Sequence, residues 1–188
     1  MDKFNGKYRI ASHRRPGWDY DWNASYFITF VTQHRRHHFG HIANARMVLH
    51  DFGKIARREW YQSFEMRREL QLDAFVMMPN HIHAIVTIQQ QSVAPVETHG
   101  RASLRGSRFE RKPKSISSFL AGYKSAVVRS IDDWIDEQAL SIPKFNRRNP
   151  FWQANYHDRV IRNADEFERI AWYIRQNPQN WKADGFYG

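Results

Sequence analysis

Apolar residues in this chain fall into a few runs of different spacing, and the spacings predict an order of strands and helices. "YFITFVTQ", residues 26–33, is aromatic and β-branched and reads as the first core strand. The polar "HRRHHFGHI" after it reads as a loop. From Met47 to Leu70 the apolar positions Val48, Phe52, Ile55, Ala56 and Trp60 follow helical spacing, with Arg57, Arg58, Arg67 and Arg68 on the outer face. "QLDAFVMM" (71–78) and "HIHAIVTI" (81–88) are strands joined by a tight turn at "PN". Ser115 is placed to cap a helix over about Ile116 to Gln138, whose apolar stripe includes Ile116, Phe119, Leu120, Tyr123, Val127 and Ile131. "PFWQANYHDRVI" (150–161) reads as a further strand. Asn163 caps a last helix from about Ala164 to Asn177, and Pro178 ends it.

Two stretches break the pattern. The opening "ASHRRPGWDYDWNAS" is a basic and aromatic arm, and the segment at about 89–114 is a long flexible loop whose second half is basic. With 188 residues and no internal repeat, the chain is expected to be a single domain over 1–188 carrying that arm and that loop.

Charge changes the picture more than composition does. Lys and Arg outnumber Asp and Glu by 29 to 19, which favours a polyanionic partner such as nucleic acid. The absence of cysteine excludes disulfides, thiolate metal sites and cysteine nucleophiles. No secretory leader or membrane-spanning run is visible, so a cytoplasmic protein with no membrane association is expected.

The 81–88 strand carries the first candidate chemistry. Side chains alternate across a strand, so His81 and His83 point to one side and can converge on one cation, while Ile82, Ala84, Val86 and Ile88 anchor the other side. The motif alone is weak, because ten histidines make a chance pair common. "HRRHHFGH" competes by histidine count, although Arg35 and Arg36 beside it suit phosphate contact or solvation equally well. On the last helix, Phe167, Ile170, Ala171 and Ile174 form the apolar stripe. Tyr173 and Asn177 share a different face, one turn apart. Tyr123 falls inside its own helix's stripe and reads as a core aromatic.

Taken in order, "PNHIHAIV", "FWQANYHDRVIRN" and "YIRQNP" resemble the REP-associated tyrosine transposases, within the single-tyrosine HUH transposase superfamily. The resemblance runs from about Tyr26 to Trp181 and implies an α+β fold with a ferredoxin-like central antiparallel sheet and helices packed on one face. It implies His81 and His83 as metal ligands, Asn177 as the third metal-binding side chain, Tyr173 as the nucleophile, and Mg²⁺ or Mn²⁺ as the ion. It further implies single-stranded DNA with palindromic hairpins as substrate, cleavage through a covalent 5′-phosphotyrosine, a homodimer, and a nucleoid-associated location. Arg14, Arg15, Arg35, Arg36, Arg108, Arg111, Lys112, Lys114 and Lys124 are candidates for phosphate contact, taken as a group. Trp18, Trp22, Phe151 and Trp152 are candidates for base stacking, with core packing the commoner fate of the last two. The chemistry suits the residues: a phenol with a pKa near about 10 needs help to ionise, and a divalent cation stabilises developing negative charge. Two other classes stay open, a domesticated binding protein of the same fold that does not cleave, and a metal-dependent hydrolase using water.

Overall fold

The structure is a computed structural model that describes residues 23–89 and 115–187, with the backbone of a small ribbon made by β1 (Lys3–Phe4) and β2 (Lys7–Tyr8). Arg14, Arg15, Trp18, Trp22, Arg108, Arg111, Lys112 and Lys114 lie outside the described residues, as do the basic arm and nearly all of the basic loop.

The uncharged, aromatic and β-branched run read as the first core strand forms β3 (Ala24–Val31). The chain then makes a short ribbon, β4 (Gly40–Ala43) with β5 (Arg46–Leu49), followed by α1 (Asp51–Glu65). Next come β6 (Leu70–Met77), β7 (His81–Ile88), α2 (Ile116–Glu137), β8 (His157–Val160) and α3 (Ala164–Gln176). Leaving the ribbon aside, β3-α1-β6-β7-α2-β8 is a βαββαβ order, and the four strands lie as β6-β7-β3-β8 with every neighbouring pair antiparallel. That is the expected α+β, ferredoxin-like arrangement.

Register explains how the sheet buries both faces. Tyr26, Ile28 and Phe30 of β3 sit opposite Val86, Ala84 and Ile82 of β7, and all six are fully buried. They meet α1 and α2 through Trp60, Phe119, Tyr123, Val127 and Ile131 in the main core. Tyr123 is a core residue as read, its hydroxyl donating to the Ala56 carbonyl at 3.0 Å. The opposite face is covered by α3: Ile170, Ala171 and Ile174 pack on Ile85 with Phe27, Ala74 and Val76 alongside. So α1 and α2 form the expected helical layer, and α3 adds a second, smaller layer across the histidine side of the sheet. Among the described residues no helix is long and apolar enough to cross a membrane.

Two helix starts follow from capping. The Ser115 and Asn163 side chains accept the backbone N–H groups of Ser118 and Glu166 at 3.2 and 2.8 Å, satisfying donors that the first turn leaves unpaired.

Two expectations are corrected. The helix read from Met47 to Leu70 begins only at Asp51, because Met47 and Val48 belong to β5, closed on β4 by a two-residue turn with Asn44 and Ala45 at positive φ. Their apolar side chains matched a helical spacing by coincidence; an asparagine leading a two-residue turn was the hairpin signal. The strand read over 150–161 is regular only at His157–Val160. Phe151 and Trp152 are consecutive yet both buried in the same core, which a strand's alternation forbids, so the segment makes a single bridge from Trp152 to Thr32.

Phe39, which leads into the β4–β5 ribbon, sits tight against α1 at Gly53, where an added Cβ would clash with the Phe39 carbonyl oxygen; at Gly122 on α2 the same atom would meet nothing within 4 Å. Alanine is the better helix former at either position, yet only one site has room. Urea denaturation is therefore expected to show Gly122→Ala stabilised by about 0.5–1 kcal/mol and Gly53→Ala destabilised by about 1–3 kcal/mol.

Candidate active site

The two histidines of β7 are 0% and 2% exposed, and burial of an imidazole disfavours its charged form. Burial, with the neighbouring His83, pushes the His81 pKa down to about 3; burial likewise lowers that of His83 against the opposing pull of Asp184. Both rings are therefore neutral at pH 7, each with one nitrogen able to accept or to ligate.

Which nitrogen is free follows from the neighbours. Asn80, wholly buried in the turn before β7, donates its Nδ2 to the carbonyls of Arg35 and Phe186 at 3.1 and 2.9 Å. Its Oδ1 is thereby turned to His81 Nδ1, 2.8 Å away. A side-chain amide oxygen only accepts, so His81 carries its proton on Nδ1. The lone pair of His81 Nε2 then points into the site, buried and without a hydrogen-bond partner among the described residues. For His83 the partner is Thr29 Oγ1, 2.6 Å from Nδ1. A hydroxyl can donate or accept, so Thr29 supports either tautomer.

α3 brings in the phenol. The Tyr173 hydroxyl lies 3.2 Å from His83 Nε2 and donates to Asp184 Oδ2 at 3.1 Å, and the Phe27 ring meets the tyrosine edge-on at 6.3 Å. At 39% exposure Tyr173 is the solvent-facing member of the group. One turn on, Asn177 is 1% exposed; its Nδ2 donates to the same Asp184 oxygen at 3.0 Å, while its Oδ1 is buried without a partner among the described residues. The pKa of Tyr173 is pushed up to about 12, by burial and then by the Asp184 charge and the hydrogen bond to it.

Asp184 was not visible as a site residue in the sequence. It follows a short 3₁₀ turn, Trp181–Ala183, and the segment after it folds back over the sheet. Arg35 donates to the Gly185 carbonyl at 3.2 Å, and the Phe186 ring lies 4.9 Å from that of His81. Burial alone would raise the Asp184 carboxyl; the His83 ring 4.0 Å away and hydrogen bonds from the Phe186 N–H at 2.6 Å and Asn177 Nδ2 at 3.0 Å outweigh it and hold the group well below the usual carboxylate range. The donor atoms of His81, His83 and Asp184 lie within 4.8 Å of one another, a group that could hold a metal ion.

The remaining candidates do not converge there. Arg35 is used to hold the tail, and Arg36 is exposed beside it. Lys124 lies beyond the sheet, above Phe30 and Trp152; it donates to the Gln153 carbonyl at 3.0 Å, and burial pushes its pKa down to about 8. It lines a cavity of about 660 Å³ between α2 and the 144–154 segment, on the far side from Tyr173. The histidines of the 34–41 loop are dispersed: His37 meets Trp181, His38 stacks on Phe151 and His41 meets His50.

No protein-family model matches the chain. An uncharacterized protein of Haemophilus influenzae is 28% identical over 188 residues, spanning 96% of this chain and 97% of that protein. A solved REP-associated tyrosine transposase bound to a REP hairpin matches with a TM-score of 0.59, covering 92% of this chain and 74% of that chain at 17% identity. The chain has the fold of that transposase.

Asn80 had one signal in the sequence, a polar residue set immediately before a buried strand; Asp184 had none beyond being acidic in a basic chain. If the group binds a cation, calorimetric titration with Mn²⁺ is expected to show Asn80→Ala and Asp184→Ala each weakened by about 10–100-fold, the cost of losing a ligand or its orienting partner. His34→Ala, in the competing loop, is expected to leave binding unchanged.

Proposed function

We propose that this protein is a metal-dependent single-stranded DNA endonuclease and strand transferase of the REP-associated tyrosine transposase family, with Tyr173 as its nucleophile. The observation that carries the reading is the Tyr173 hydroxyl set 3.2 Å from His83 Nε2 and 3.1 Å from Asp184, beside a His81 lone pair with no other use. A module that only binds nucleic acid has no need of a phenol joined to a buried histidine pair.

The donor set fits a divalent cation: two neutral imidazoles and one carboxylate with donor atoms within 4.8 Å of one another, and beside them the unpartnered amide oxygen of Asn177. His81, His83, Asp184 and Asn177 would hold it, with Mg²⁺ or Mn²⁺ the expected ion. When bound, such an ion supplies positive charge next to the phenol and the phosphate, reversing the electrostatics that Asp184 imposes on Tyr173. The protein's own groups do the rest. Asn80 and Thr29 fix the imidazole rings, and α3 holds the phenol at the edge of the site, open to a strand of DNA. Tyr173 Oη forms its bond to phosphorus as the P–O3′ bond breaks. This leaves a 5′-phosphotyrosine and a free 3′-hydroxyl, with the phosphoester energy conserved for rejoining.

The fold shared with a transposase bound to a REP hairpin supports DNA hairpins as the substrate class. A homodimer and a nucleoid-associated location belong to the same reading. Incubation with Mg²⁺ or Mn²⁺ and end-labelled single-stranded hairpin DNA, followed by denaturing electrophoresis, is expected to give a covalent protein–DNA adduct. Tyr173→Phe should abolish the adduct entirely while DNA binding survives. Binding with no adduct in the parent protein would favour the non-cleaving alternative.

A further inference from the structure

At 100° per residue, Arg169 lies one turn before Tyr173 and within about 40° of it around α3, so the two share a flank of the helix. Across the sheet, Arg159 of β8 is paired with Phe27 of β3, and it is the Phe27 ring that meets Tyr173. Two independent directions, along the helix and across the sheet, thus lead from the phenol to the same place. There Arg159, Arg162 and Arg169 line a cavity of about 320 Å³ with Asn163, Asp165 and Glu166.

The charge in this cavity does not cancel. Glu166 is the buried acid; it accepts the Arg162 backbone N–H at 2.9 Å and pairs with Arg159. Asp165 is exposed in the first turn of α3. Three guanidinium groups therefore face two carboxylates, one of them already committed to a backbone donor, and Arg162 and Arg169 project into solvent. The Arg162 backbone N–H, then the charges of Arg159, Arg162 and Arg169, hold the Glu166 carboxyl below its ordinary pKa, as expected where the three cations converge. A guanidinium presents its N–H donors in a planar fork that matches phosphate oxygens, and a surplus of such forks suits a phosphodiester.

We propose that the cleft between β8 and the start of α3 binds a backbone phosphate of the single-stranded DNA flanking the scissile one, through Arg162 and Arg169. This rests on the tyrosine nuclease reading, and it adds a subsite that orients the strand over Tyr173. Arg159 is the positioning residue that keeps Glu166 satisfied while the other two reach the ligand.

The test is the salt dependence of binding. The full chain carrying Tyr173→Phe, which cannot cleave, is titrated against a fluorescent single-stranded hairpin oligonucleotide at several salt concentrations by anisotropy. Each lost single-strand phosphate contact removes about 0.7 from the slope of log K against log salt, so Arg162→Gln with Arg169→Gln, which together hold one phosphate, is expected to flatten it by about 0.7. Asp165→Asn, which removes the exposed negative charge, is expected to bind more tightly than the parent at low salt, a gain that misfolding cannot produce. An unchanged slope in the double variant, with its thermal unfolding intact, overturns the subsite while leaving the nuclease reading in place. So does unchanged binding by Asp165→Asn. Failure of the parent to bind single-stranded DNA at all overturns both.

Discussion

Everything at this site depends on keeping two imidazoles neutral inside a protein. A buried polar group without a partner costs free energy, and a buried charge costs more. β7 sets the problem by turning His81 and His83 inward under α3, with Ile82 and Ala84 committed to the main core on the other face. Asn80 and Thr29 solve half of it by satisfying each Nδ1. The other half, the two Nε2 atoms, is left facing Tyr173, Asp184 and Asn177. The site is the part of the histidine problem that the sheet itself does not solve.

That division explains why elements far apart in the chain are tied so closely. Asn80 can orient His81 only because its amide is clamped by carbonyls from the 3₁₀ turn after β3 and from the segment after Asp184. Arg35 reinforces the same join at Gly185. An arginine read as a phosphate ligand is thus part of the frame, and Lys124 is similarly taken up by backbone carbonyls on the other side of the sheet. Cationic side chains in a basic protein are not interchangeable. Burial and local acceptors give some of them a structural partner as well.

Most of the fold was legible because its signals are local. Ser115 and Asn163 announce their helices through the side chains that cap them, and the hairpin of β6 and β7 is visible in its alternation and its turn. The errors came where local spacing was ambiguous: Met47 and Val48 mimic a helix, and Phe151 and Trp152 mimic a strand while both serve the core. At the candidate site, His81, His83, Tyr173 and Asn177 could be singled out because a strand and a helix each display their residues with a fixed period, and the structure sets the four near one another. Asp184 was missed because it reaches the site through an irregular segment, where no periodicity says which way a side chain points. The meeting of Arg159, Arg162 and Arg169 was not legible for a related reason, since Arg162 lies in the irregular link between β8 and α3.

The pairing of β8 with β3 has a consequence for how the protein is made. β3 lies inside the sheet, and its Tyr26 needs both Val86 and Val160 as register partners, each far along the chain. Until those strands arrive, "ASYFITFV" is an uncharged, proline-free and glycine-free run with both edges open. Such a segment pairs readily with copies of itself, and non-local sheets of this kind close slowly. Production of the protein is therefore a race between closing the sheet and self-association, and the balance tips with temperature and with the concentration of unfinished chains.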